Sequence, residues 1–124
     1  MKHISLLLLF TLASCQDYNS NSGDRAKYGP ITLSGDSKLD AATAVLQSRC
    51  ISCHDRYHDN WADLKTNADW ITEGLVVAGD VAGSRLIQRT VNTGATDSNM
   101  PPGRPPLPND EYKTLTDWVT GITP

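Results

Sequence analysis

Apolar and polar positions divide the chain into three regimes. Residues 4–12 are mostly apolar, residues 16–37 are rich in Asn, Ser, Gly and Asp, and beyond residue 38 apolar positions recur at helical spacing. Leu39, Ala42, Leu46 and Cys50 follow a helical period, with Val45 and Arg49 beside them. Asp36 or Ser37 is placed to cap that helix. A polar stretch follows at residues 55–60. Trp61, Leu64, Ala68, Ile71 and Leu75 then match a helical period again. Thr66-Asn67 could cap a shorter helix inside that span, so one irregular helix and a turn plus short helix are both open. Gly74 and Gly79 bracket Leu75-Val76-Val77, which reads as a short extended segment. Asp80 or Ser84 caps a helix carrying Leu86, Ile87 and Val91. Residues 94–108 read as loop, because Pro101, Pro102, Pro105, Pro106 and Pro108 exclude a regular helix. Asn109 caps the last helix, with Asp110 and Glu111 in its acid-favouring first turn. Leu115, Trp118, Val119 and Ile122 form its inner stripe, and Gly121 lies near its stop. The pattern predicts a small all-α domain over residues 38–124 behind a leader and a linker.

The first regime changes the picture of where the domain works. Lys2, the apolar residues 4–12 and the small Ala13-Ser14-Cys15 have the layout of a secretory signal peptide. Nine mostly apolar residues are too few to cross a bilayer, which takes about 20. Leu12-Ala13-Ser14-Cys15 resembles a bacterial lipoprotein lipobox, which implies cleavage after residue 14 and lipidation of Cys15. Ordinary cleavage nearby, leaving Cys15 a free thiol, is the plainer alternative. The polar residues 15–37 suit a tether, with residues 28–33 as the stretch able to take some order. About 20 such residues span roughly 25 Å as a flexible coil. Removing residues 1–14 from 124 leaves 110, one domain's worth.

The chemistry is concentrated in Cys50-Ile51-Ser52-Cys53-His54, the C-x-x-C-H signature of covalent haem attachment. Cysteines three apart share one side of a helical turn, so both sulfurs can reach the two vinyl groups of a single haem. The histidine that follows is held where it can bind the iron. Two other chemistries use such residues. Structural zinc needs four ligands, usually from a second matching pair that this chain lacks. A thiol–disulfide centre works best at a helix N-terminus, where the dipole favours thiolate, whereas the apolar pattern puts this motif at a helix C-terminal end. The three cysteines are then fully used, one for lipid and two for haem, and none remains for a disulfide.

A second axial ligand can be sought by elimination. The mature chain holds one methionine, Met100, and two histidines, His54 and His58. His58 follows the proximal histidine by four residues and is badly placed to reach the other haem face. Its plain reading is an exposed turn histidine. Met100 lies 46 residues downstream of His54, beside Pro101-Pro102. Thioether sulfur binds iron weakly, so a stiff loop suits it, and a lone methionine in a polar loop has little reason to be core. His54 and Met100 are the expected axial pair. With both positions filled, the iron has no open site, and methionine favours the ferrous state.

With these residues placed, the chain resembles a class I monohaem cytochrome c. More narrowly it resembles the planctomycete-type cytochrome c domain. The matching elements are residues 50–54, the stretch Gly79-Asp80-Val81-Ala82-Gly83-Ser84-Arg85-Leu86, Met100-Pro101-Pro102, and Asp117-Trp118-Val119. That family often has Pro after the Asp, where this chain has Val81. The resemblance covers roughly residues 38–122. It implies a compact helical fold with one haem c in a crevice and one haem edge exposed. Trp61, Trp70 and Trp118 are expected in the core or against haem, and Arg49 and Arg104 are candidate partners for haem propionates or plain solvated arginines.

Charge narrows the partners. The full chain carries −3, and losing Lys2 with the leader makes the mature chain −4. No clustered basic face suggests nucleic acid. An acidic surface fits transient docking to a basic patch on a redox protein. The expected role is a single-electron carrier, not an enzyme, acting as a monomeric domain or as a subunit of an oxidoreductase complex. A haem-based gas sensor with a displaceable Met100 is the alternative. A peroxidase would need distal acid–base groups, for which His58 is a poor candidate. Gln16 after the lipidated cysteine, in place of a retention-type Asp, leans the anchor towards the outer membrane of the cell envelope.

Overall fold

The computed structural model describes residues 33–54, 60–91, 100 and 105–124. Among them are four α-helices: α1 Ser37–Arg49, α2 Asn67–Thr72, α3 Arg85–Thr90 and α4 Asn109–Gly121, with a 3-10 turn at Trp61–Asp63. Val77 and Asp80 form an isolated antiparallel bridge, and no strand occurs among the described residues. The all-α expectation therefore holds for this part of the chain. No helix here is long and apolar enough to cross a membrane.

α1 starts where Asp36 caps it. The Asp36 carboxylate accepts from the Lys38 and Leu39 amides at 2.9 and 3.2 Å. The residues just before the helix are fastened to this start, since the Ser34 amide and hydroxyl both donate to Asp40 Oδ1 at 2.8 Å. Leu39, Ala42, Val45 and Leu46 then face inwards. The second apolar stretch resolves into two pieces. Thr66 and Asp69 form a reciprocal capping box, which starts a new helix at Asn67 and separates it from the Trp61 turn. Gly74, at φ +67°, ends that helix in the left-handed conformation glycine adopts freely.

α1 and α4 make the most extensive helix pair, and α3 also touches α4. α4 contributes Leu115, Trp118 and Val119, each fully buried. Its first turn is clasped to the end of α1 by Arg49, whose Nε and Nη2 both reach the Glu111 carboxylate at 2.7 Å. Trp118 Nε1 donates to Asn67 Oδ1 at 2.8 Å, and Asn67 Nδ2 donates on to Asp36 Oδ2 at 3.0 Å. One polar chain thus joins α4, α2 and the cap of α1.

The Gly79-to-Leu86 stretch is scaffold. Gly79 takes φ +70° and donates its amide to Val119 O at 3.1 Å. A Cβ there would meet Ile122 O at 3.6 Å, so the positive φ, not crowding, asks for glycine. Asp80 Oδ1 accepts from the Gly83 amide at 2.8 Å. Ser84 is the N-cap residue of α3, but its hydroxyl makes no cap bond. It turns back, donating to Asp80 O at 2.6 Å and accepting from the Val77 amide at 2.9 Å. Neither residue expected to cap α3 does so through its side chain. Two further boundaries differ from the sequence pattern. Leu75-Val76-Val77 forms no strand, and Leu75 and Val76 instead bury their side chains in the core. Asn109 is the first helical residue of α4 and Pro108 is its cap.

The cap of α1 makes stability pH-dependent. The Asn67 amide, then the Leu39 and Lys38 amides, hold the Asp36 carboxyl below its ordinary value. The Lys65 and Thr66 amides do the same for Asp69. The folded chain therefore binds these protons less tightly than the unfolded chain. Their contribution is fully present above the unfolded value of about 3.9 and is lost as pH falls through the lower folded values. Asp36→Ala is expected to cost about 1 kcal/mol at neutral pH. Asp36→Asn is expected to flatten the fall in thermal midpoint on acidification below about pH 4, read by circular dichroism.

Candidate cofactor site

α1 delivers the first cysteine to its own end. Cys50 is the C-cap, its amide bonded to Leu46 O at 2.8 Å. The chain then tightens into a turn in which Cys50 O accepts from both the Cys53 and His54 amides, at 3.1 and 3.0 Å. Ile51, buried between the cysteines, pins the turn to the core. Cys50 is half-buried, Cys53 is exposed and both are free thiols.

This location argues against thiol redox chemistry. A helix C-terminus disfavours thiolate, and burial pushes the Cys50 thiol up to about 12, with Cys53 and Glu111 adding and Arg49 opposing. A reactive thiol needs the reverse shift. Among the described residues, no three His, Cys, Asp or Glu side chains are gathered so as to hold a metal ion by themselves.

Cys50, Cys53 and His54 open onto a cavity of about 510 Å³. Cofactor sites typically enclose about 300–1,000 Å³. Met100 lines the same cavity. Its amide donates to Arg89 O at 2.8 Å, which ties this residue to the last turn of α3. The two ends of the expected ligand set, 46 residues apart in sequence, are therefore brought to one space. Trp61, Leu75, Leu86 and Leu107 give it apolar wall, and each of the four is buried. Cys15, His58, Pro101, Pro102 and Arg104 lie outside the described residues.

Of the charged lining, the sequence pointed to Arg49 but not to Arg85, Arg89 or Glu73. Arg85 and Arg89 sit one turn apart on α3 and both line the cavity, with Glu73 across from them in sequence on the end of α2. Among the described residues, no hydrogen bond or ion pair engages either guanidinium. Arg49 also lines the cavity, but Glu111 grips it with both carboxylate oxygens. The available signal was the four-residue spacing of the two arginines around the buried pair Leu86-Ile87. Only the fold shows that this face meets the Cys50 turn.

The three tryptophans are core, as expected, and they form a series. His54 and Trp61 stack with ring centroids 4.0 Å apart and 15° between planes. Trp61 meets Trp70 edge-on at 5.5 Å, and Trp70 meets Trp118 edge-on at 5.6 Å. Among the described residues, the buried Trp61 and Trp70 indole N–H groups meet no hydrogen-bond acceptor.

No known protein family, curated protein or solved structure matches this chain.

Proposed function

We propose that this chain is a monohaem c-type cytochrome that carries single electrons in a bacterial cell envelope. The observation that carries this reading is the convergence of Cys50, Cys53, His54 and Met100 on one cofactor-sized cavity. Cys50 and Cys53 would hold the group by thioether bonds, and His54 and Met100 would bind its iron. When bound, haem c supplies a one-electron ferric/ferrous couple. A haem would bring its own metal ligands, so this site would not require a chelating trio of protein side chains. Trp61, Leu75, Leu86 and Leu107 exclude water from the apolar macrocycle. Arg85 and Arg89 offer two uncommitted cations to the two haem carboxylates.

An iron held by both His54 and Met100 would have no open position for substrate, which favours electron transfer over bond chemistry. In this reading the lipid on Cys15 holds the domain at the outer membrane, and residues 16–37 give it reach. Its partners are redox proteins met transiently at the membrane surface, and the domain works as a monomer. A potentiometric titration of the mature protein tests the assignment. A reversible one-electron transition, with the ferrous form refusing carbon monoxide at neutral pH, is expected. Rapid carbon monoxide binding by the unaltered protein would transfer the assignment to a gas sensor with a displaceable Met100.

A further inference from the structure

We propose that Trp61 is a positioning residue for His54, fixing the plane of the imidazole and so the orientation in which its nitrogen is presented to the cavity. The proposal rests on the haem reading above and assigns a role within that site.

Several contacts converge on this role. The indole lies face to face with the imidazole at 4.0 Å and 15°, an arrangement that resists rotation of the histidine ring about its side-chain bonds. The Trp61 amide also donates to His54 O at 3.1 Å, so the backbones of the two residues are joined as well as their rings. Both residues line the cavity.

Trp61 is itself held from behind. Its ring abuts Trp70 edge-on, and Trp70 abuts Trp118. Trp118 is tied through Asn67 to Asp36, the cap of the helix that ends in Cys50. The position of the His54 ring is thus referred back to the element that carries the first cysteine. Partners that orient a metal-binding histidine also tune the metal it binds.

The alternative is that Trp61 only fills space. A pure packing role predicts that any apolar residue of similar size serves. A positioning role predicts that an aromatic face is required.

The test uses the mature full-length chain with haem attached, as wild type, Trp61→Phe and Trp61→Leu. In the ferrous wild type, nuclear Overhauser cross-peaks between His54 ring protons and Trp61 indole protons are expected. Trp61→Leu is expected to shift the low-spin ferric electron-paramagnetic-resonance g values and the reduction potential. Trp61→Phe is expected to return both towards wild type. If Trp61→Leu does not accumulate as folded protein, the wild-type cross-peaks and the Phe variant still decide. A haem-bearing wild type without cross-peaks overturns the positioning role alone, as does a Leu variant with wild-type g values and potential. A wild-type chain that carries no covalent haem overturns the functional reading and this role together.

Discussion

Replacing Met100 with alanine is expected to give a protein that keeps its covalent haem but has an open sixth iron position. The reduction potential should fall by roughly one to a few tenths of a volt, within the ~0.8 V over which axial ligands move haem potentials. The direction follows from the softness of thioether sulfur, which favours ferrous iron. The substitution is mild for the fold. The Met100 bond to Arg89 O is made by the backbone amide and survives loss of the side chain. Met100 is only half-buried, so little core is removed. The ferrous variant should take up carbon monoxide, while the unaltered protein should not. An unchanged ferrous spectrum and potential in the variant would remove Met100 from the ligand set.

Trp118→Ala is expected to be the most damaging single core substitution. The side chain is fully buried, closes the tryptophan series against Trp70, and supplies the donor that connects α4 to Asn67. Removing a buried tryptophan costs about 3–5 kcal/mol through lost burial and the cavity left behind. For a domain of this size that is a fall of roughly 15–30 °C in thermal midpoint. Trp118→Phe separates the two effects. It retains most of the packing but leaves Asn67 Oδ1 without its donor, and should cost about 1–2 kcal/mol. Thermal melts followed by circular dichroism measure both. A fall of under about 5 °C for the alanine variant would show that α4 is not the keystone described above.

Much of this arrangement was legible in the residues. Asp36 capped the first helix because a carboxylate before an apolar-periodic run has two free amides to satisfy. The inner stripe of α4 followed from Leu115, Trp118, Val119 and Ile122 at helical spacing. The break before α2 was also written in the chain, since Thr66 and Asp69 stand at the spacing of a capping box. Periodicity hid it, because Trp61, Leu64 and Ala68 continue the same stripe across the break. Other features depend on distant partners. Ser84 looked like a helix cap and became a buried hub, because the Val77 amide and Asp80 carbonyl are closer to its hydroxyl than the amides of α3. Nothing in the sequence singled out Arg85 and Arg89, whose place beside the Cys50 turn depends on where α3 packs. The Trp61 stack on His54 could not be read from a seven-residue separation whose path depends on the loop between them.

The proposed ligand set came from local chemistry. The C-x-x-C-H spacing points to haem through the reach of two sulfurs, and the scarcity of methionine and histidine left few candidates for the second ligand. The fold adds the meeting of Met100 with the cysteine turn. It also adds apolar walls and a cationic rim, features that neither a zinc site nor a thiol centre would use.

The most direct measurement is the absorption spectrum and intact mass of the mature protein, made alongside a haem-attachment system and freed of any non-covalently bound pigment by denaturation. One haem remaining with each polypeptide is expected, with a low-spin ferrous c-type spectrum and the weak far-red ferric band that marks iron–methionine bonding. A chain that emerges from denaturation at its bare polypeptide mass, colourless, would contradict the account.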